Sequence, residues 1–252
     1  MKVESVSYSV SGLGCRGELV YDDSIKTQRP LLLVAPNWLG VTKDVIERSK
    51  TLAGTRYVAF IADMFGEGKG PKGTENPMEF LKPLIEDAAE TRRRIVAAFE
   101  AMTREAVARG IGDTKRRAAI GYCFGGSNVI DLARTGADVQ AVVSVHGVLA
   151  TPAPAKKGDI KAAVLVLHGA ADPISPKAHR DMFEAEMDAT GARWYALTFG
   201  NVVHAYTDVG ANNPPVAVYN EPATRHGYAL AHAFIADAFA GRRHGCPAQV
   251  PA

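Results

Sequence analysis

Short, uninterrupted apolar runs recur along this chain, and a stretch with helical periodicity follows most of them. The first run is Leu31-Leu32-Leu33-Val34-Ala35; similar runs lie at 57–62, 118–121, 139–145 and 163–167, and residues 194–199 read as another strand. A run that short and that apolar fits a strand buried on both faces of a parallel sheet. Helical patterns fall at 43–53, 84–109, 127–134, 176–190 and 222–240. Pro176 and Pro222 suit a first helical turn, and Gly191 suits a helix stop. Such alternation predicts an α/β fold, with a mostly parallel central sheet and helices on both faces. Residues 3–10 alternate as a half-exposed strand does, and residues 17–21 are the expected hairpin partner, so an antiparallel N-terminal hairpin should extend the sheet. The Gly-rich and Pro-rich stretches at 66–77 and 151–158 read as surface loops rather than linkers. The expected organisation is therefore a single domain over residues 1–252.

Composition narrows the function classes. The chain has 252 residues, 47% hydrophobic and 22% charged, with a formal net charge of +2 from 29 basic and 27 acidic side chains. That balance offers no electrostatic footprint for nucleic acid or an anionic membrane. Arg92-Arg93-Arg94 and Lys115-Arg116-Arg117 have acidic neighbours and read as solvated faces. No apolar run approaches the roughly 20 residues needed to cross a bilayer, and the N-terminus lacks an apolar signal core. Cys15, Cys123 and Cys246 are too few and too scattered for a disulfide framework. A cytoplasmic protein, monomeric or a small homo-oligomer, is expected. The scattered histidines have no metal-ligand spacing, so neither a metal nor another cofactor is expected.

Ligands bind parallel sheets at the carboxyl ends of the strands, so the residues that follow each strand carry the functional signal. The strongest is Gly121-Tyr122-Cys123-Phe124-Gly125, a G-x-C-x-G between a predicted strand and a predicted helix. It has the form of a nucleophile elbow, with cysteine in the serine position. The sharp turn exposes the side chain at its apex, and the following helix N-terminus favours the ionised thiol. The backbone N–H of Phe124 points to where an oxyanion would form. The competing reading, a buried structural cysteine, does not explain the position of the motif. Two further residues complete the chemistry. Asp172, after the strand at 163–167, can orient an imidazole; its alternative role is a turn residue before Pro173. His204 lies on a loop after the strand at 194–199 and can take and return a proton. The order Cys, Asp, His is that of the α/β-hydrolase fold. Among other histidines, His168 and His146 end strands; His168 suits a structural bond and His146 is a candidate pocket residue.

Together these segments resemble the dienelactone hydrolase family over nearly the whole chain. The resemblance includes Ala35-Pro36-Asn37-Trp38-Leu39-Gly40, Ala62-Asp63-Met64-Phe65-Gly66, the elbow, His168-Gly169-Ala170-Ala171-Asp172, His204-Ala205-Tyr206 and Tyr219-Asn220-Glu221-Pro222-Ala223. It implies the α/β-hydrolase fold, with Cys123 as nucleophile, Asp172 as orienter and His204 as base, and with the N–H of Trp38 as second oxyanion donor. Two positions depart from the family pattern. Asn37 stands where dienelactone-cleaving members carry a Glu that helps ionise the thiol, and Asp208 stands where they carry a substrate-binding Arg. A neutral ester or lactone is therefore the expected substrate, with Asn37, Tyr122, Phe65 and His146 as substrate-binding residues and Trp38 and Phe124 as apolar walls. Hydrolysis of neutral phosphotriesters by the same groups is the alternative activity, and a catalytically inactive ligand-binding protein on this fold is the non-enzymatic one. A low-pKa thiol also oxidises readily, but no resolving cysteine is visible beside Cys123.

Overall fold

A computed structural model describes residues 1–72 and 75–242. An eight-stranded mixed sheet runs in the order β1-β2-β4-β3-β5-β6-β7-β8. β1 (Lys2–Val10) and β2 (Leu13–Tyr21) form the antiparallel hairpin, turning at Ser11 and Gly12, both at positive φ. Two successive residues there match the right-handed twist of the flanking strands. β2 is antiparallel to β4 (Val58–Ile61), and from β4 onward every pair is parallel: β3 (Arg29–Ala35), β5 (Gly112–Tyr122), β6 (Ala141–Val145), β7 (Ala163–Gly169) and β8 (Arg193–Phe199).

Side-chain alternation divides the interior into two layers. Leu31, Leu33 and Phe60 face one way, toward α3 (Ala88–Ala108), α4 (Phe124–Arg134) and α5 (Lys177–Thr190). Leu32, Val34 and Ile61 face the other, toward α1 (Lys43–Ala53) and α6 (Glu221–Phe239). Burial on both faces is why these strands are continuous apolar runs rather than alternating ones. β8 closes the edge of the sheet and is the exception, half exposed along its length.

The expected helix at 84–109 is two helices. α2 (Pro77–Glu86) starts where a loop was expected to end, with Pro77 in its first turn and Asn76 capping the N–H of Met78. Asp87 then breaks the chain (φ −112°, ψ 84°) and caps α3 through the N–H of Glu90. Pro83 supplies no N–H to the helix, so this segment carries a weak helical signal. A small ribbon, β9 (Asn212–Asn213) with β10 (Ala217–Val218), was also not expected. It follows His204 and shapes the loop that carries it.

Parallel pairing brings the carboxyl ends of β3, β5, β6, β7 and β8 to one edge. Asn37, Cys123, His146, Asp172 and His204 all follow those ends.

Candidate active site

Cys123 is the single residue between β5 and α4, at φ 52° and ψ −117°. A non-glycine residue held there costs about 1–3 kcal/mol and persists only where its surroundings over-determine it. The flanking glycines provide that constraint. A Cβ on Gly121 would lie 2.0 Å from the Gly125 carbonyl oxygen, and one on Gly125 would lie 2.1 Å from that of Ala35. The turn thus folds onto itself, and the first turn of α4 presses against the end of β3. The Phe124 amide occupies the first helical position, among the N–H groups a helix leaves without intrahelical partners. The Cys123 amide donates to the Val145 carbonyl and to Nδ1 of His146, each at 3.1 Å.

Asp172 lies in a turn closed by its own N–H on the Gly169 carbonyl (3.2 Å), and the Ala171 N–H ties this turn to the Val202 carbonyl. One carboxylate oxygen of Asp172 accepts the N–H groups of Ile174 and Ser175, at 2.8 and 3.2 Å. The other lies 2.8 Å from Nδ1 of His204. On the far side of the ring, Nε2 lies 3.1 Å from the Cys123 sulfur. The β9–β10 ribbon holds the backbone of His204 at both its polar groups: its N–H donates to the Val216 carbonyl and its carbonyl accepts from Val218.

The Asp172 side chain is fully buried and that of His204 is 8% exposed. Burial pulls the imidazole down, but the hydrogen bonds to the Asp172 carboxylate and the Cys123 sulfur outweigh it and raise His204 from 6.5 to about 10. These bonds favour the doubly protonated imidazole, which faces a sulfur on one side and a carboxylate on the other. Burial, with Asp63 nearby, pushes the Cys15 thiol up to about 11. Cys246 and His244 fall outside the described residues.

His168 hydrogen-bonds the Ser175 carbonyl at 2.8 Å and is wholly buried, a structural placement. His179 and His226 lie on α5 and α6. Among the described residues no group of three or more His, Cys, Asp or Glu side chains is arranged to hold a metal ion.

The residues expected to bind substrate separate into two groups. Asn37 is half-buried, accepts the Leu39 N–H (3.0 Å), and lines a narrow cleft with Leu39, Arg48, Tyr122 and Asp208. Half-buried Trp38 packs against the core beside it. Phe65 is buried and stacks on the Phe124 ring, centroids 6.1 Å apart. Tyr122 and His146 are 1% and 2% exposed; Tyr122 nonetheless reaches the wall of that cleft, whereas His146 does not line it. Tyr122 ends β5 and His146 follows β6, and both His146 ring nitrogens have protein partners.

Arg48 carried no signal in the sequence, because one Arg on an amphipathic helix looks like any solvated residue. It nonetheless lines both the cleft and a cavity of about 580 Å³ between α1 and α6. A second cavity, about 430 Å³, lies between residues 39–42 and 63–72 and shares Leu39 with the cleft. Neither of these cavities nor the cleft has Cys123 or His204 in its wall; the cleft comes nearest in sequence, through Tyr122.

A mostly parallel sheet with helices on both faces, and a strand–Cys–helix elbow meeting a His and an Asp from later loops, define this as a protein of the α/β-hydrolase fold. The family model of the dienelactone hydrolase family matches residues 18–239. The chain belongs to the dienelactone hydrolase family and is a hydrolase acting on ester or lactone bonds. Among solved structures, a dienelactone hydrolase-like promiscuous phosphotriesterase from metagenomic libraries is 31% identical, with a TM-score of 0.85 over 94% of this chain and 98% of that one. An uncharacterized protein of Caenorhabditis elegans is 33% identical over 51% of this chain and 84% of its own length. A protein of Methylorubrum extorquens assigned as a carboxymethylenebutenolidase is 23% identical over 70% of this chain and 63% of that protein.

Proposed function

We propose that this protein hydrolyses neutral carboxylic esters and lactones through a thioester on Cys123. The observation that carries the reading is the hydrogen-bonded chain from Asp172 through His204 to the Cys123 sulfur, at 2.8 and 3.1 Å, ending on a positive-φ elbow. The thiolate attacks the carbonyl carbon, and the electron pair moves to the carbonyl oxygen. The N–H groups of Phe124 and Trp38 hold that oxyanion. The C–O bond then breaks as the imidazolium of His204 protonates the leaving alkoxide. Neutral His204 next takes a proton from water, hydroxide attacks the thioester, and the acid leaves as the thiolate re-forms. Asp172 fixes the ring orientation and balances its charge throughout.

The cleft next to the elbow, which Tyr122 lines, favours one substrate class. Asn37 cannot ionise, and Asp208 places a negative charge beside it. The one cation in the cleft, Arg48, is engaged with Thr207 and with the Tyr122 ring. An anionic lactone meets no free counter-charge there, whereas exposed Leu39 and half-buried Trp38 suit a neutral ester. Phosphotriester hydrolysis is a second activity by the same groups, favoured by the similarity to the promiscuous phosphotriesterase; a neutral triester presents the same kind of electrophile. The eight-stranded sheet, drawn from residue 2 to residue 199, supports reading the chain as one folding unit. Free thiols are kept reduced in the cytosol, and among the described residues no helix is long and apolar enough to cross a membrane; a cytoplasmic, monomeric or small homo-oligomeric enzyme is the proposed setting.

The test is p-nitrophenol release from a short p-nitrophenyl ester by wild type and Cys123→Ala. Turnover should fall by about 10³-fold or more in the variant, and mass spectrometry of quenched wild type should find the acyl group on the Cys123 peptide. Equal rates would refute the assignment of the nucleophile.

A further inference from the structure

His146 makes contacts that a core histidine does not need. Its Nδ1 faces the Cys123 amide at 3.1 Å, and since an N–H only donates, Nδ1 is the acceptor. The ring proton therefore sits on Nε2, which donates to the Thr207 hydroxyl at 2.9 Å. Thr207 is three residues beyond His204 on the same loop. Arg48 of α1 donates to the Thr207 carbonyl at 3.2 Å and lies 4.5 Å over the ring of Tyr122, the residue before Cys123. Cys123, His146, Thr207, Arg48 and Tyr122 thus form a closed ring joining the elbow, the end of β6, the His204 loop and α1.

The backbone at His146 is itself constrained, at φ 41°, with its N–H on the Leu167 carbonyl. Burial, with His204 and Arg48 nearby, pushes its pKa well below 6.5, so the ring stays neutral and keeps its acceptor. The His146 and His204 rings meet edge to face, centroids 5.2 Å apart. The sulfur–imidazole separation spans two elements far apart in sequence, the elbow and the loop after β8. Asp172 and the β9–β10 ribbon fix the histidine side of that gap; the ring through His146 ties the loop directly to the Cys123 amide, beside Tyr228, which interacts with both Tyr122 and Thr207.

We propose that His146 is a positioning residue, a neutral cross-brace from the Cys123 amide to Thr207 that sets the distance and alignment of His204 on the nucleophile. This rests on the reading of Cys123 as nucleophile, so the test separates the two. The rate of Cys123 alkylation by iodoacetamide, followed on the Cys123 peptide by mass spectrometry, reports thiol activation without requiring ester turnover. Thr207→Val removes the hydroxyl but keeps the shape. It should slow alkylation and lower kcat by about tenfold, with KM little changed. Thr207→Ser, which keeps the hydroxyl, should restore most of both rates. Near-UV circular dichroism checks the fold. If Thr207→Val does not fold, Arg48→Met, on a helix face lining an open cavity, reads the next link and should cost about threefold. A folded Thr207→Val, or failing that Arg48→Met, with alkylation and kcat within twofold of wild type overturns the brace. Loss of Cys123-dependent turnover in wild type itself would instead overturn the functional reading, and the alkylation rates would still decide the brace.

Discussion

Replacing Asp172 by Asn tests the electrostatic half of the site with little change in shape. The Asn oxygen can still accept the N–H groups of Ile174 and Ser175, so the turn after β7 keeps its bonds. The change falls on His204, whose Nδ1 now faces an amide N–H instead of a carboxylate 2.8 Å away. In the neutral ring Nδ1 must become an acceptor, which moves the proton to Nε2 and removes the lone pair that would take a proton from water in the second half of the reaction. The imidazolium form, in a side chain only 8% exposed, loses its counter-ion. Breaking a buried pair by removing one partner costs about 3–5 kcal/mol. At 1.36 kcal/mol per decade this corresponds to a loss of about 10²–10⁴ in kcat/KM. The assay is initial-rate hydrolysis of p-nitrophenyl acetate at pH 7, with circular dichroism to confirm the fold. A folded Asp172→Asn protein within threefold of wild-type kcat/KM would refute the reasoning, because the carboxylate would then contribute nothing to the transition state.

Two further predictions concern stability. His204 is raised from 6.5 to about 10, so its contribution is fully present below pH 6.5 and is lost as pH rises through about 10. Wild-type Tm should therefore decline between those values more steeply than that of His204→Gln; parallel curves would contradict the linkage. At the base of α4, Arg134 pairs in bidentate fashion with Glu186 of α5 at 2.9 and 2.7 Å, with side chains 2% and 6% exposed. Glu186→Gln should cost about 3 kcal/mol, lowering Tm by about 6–12 °C in a chain of this size; a drop below about 2 °C in a thermal melt would show that Asp131, 3.3 Å from Arg134, suffices as its partner.

Much of the frame was legible because its signals are local. The helix at 43–53 lies where its periodicity placed it, and the sheet strands fall close to the apolar runs that predicted them. Boundaries failed where local signals conflict. Pro77 and Pro83 obscured α2, and Asp87, whose capping role depends on where the chain turns, divided what periodicity read as one helix. The ribbon of two-residue strands after His204 is too short to leave a periodic trace, yet it holds both backbone polar groups of that histidine.

The site divides along the same physical line. Sequence alone determined the elbow, because G-x-C-x-G is a steric demand of five consecutive residues: no Cβ fits at Gly121 or Gly125. It also singled out Asp172 and His204, which follow strands whose carboxyl ends any parallel sheet must bring to one edge. What it could not determine was which side chains at that edge face the open cleft and which turn inward. That depends on strand register and loop path, set by contacts between residues distant in the chain. Only the tertiary structure gave both His146 ring nitrogens their protein partners, and only it brought Arg48 of α1 to Thr207, 159 residues away. A hydrogen bond is read from the distance between its atoms, and for residues so far apart that distance exists only once the chain has folded.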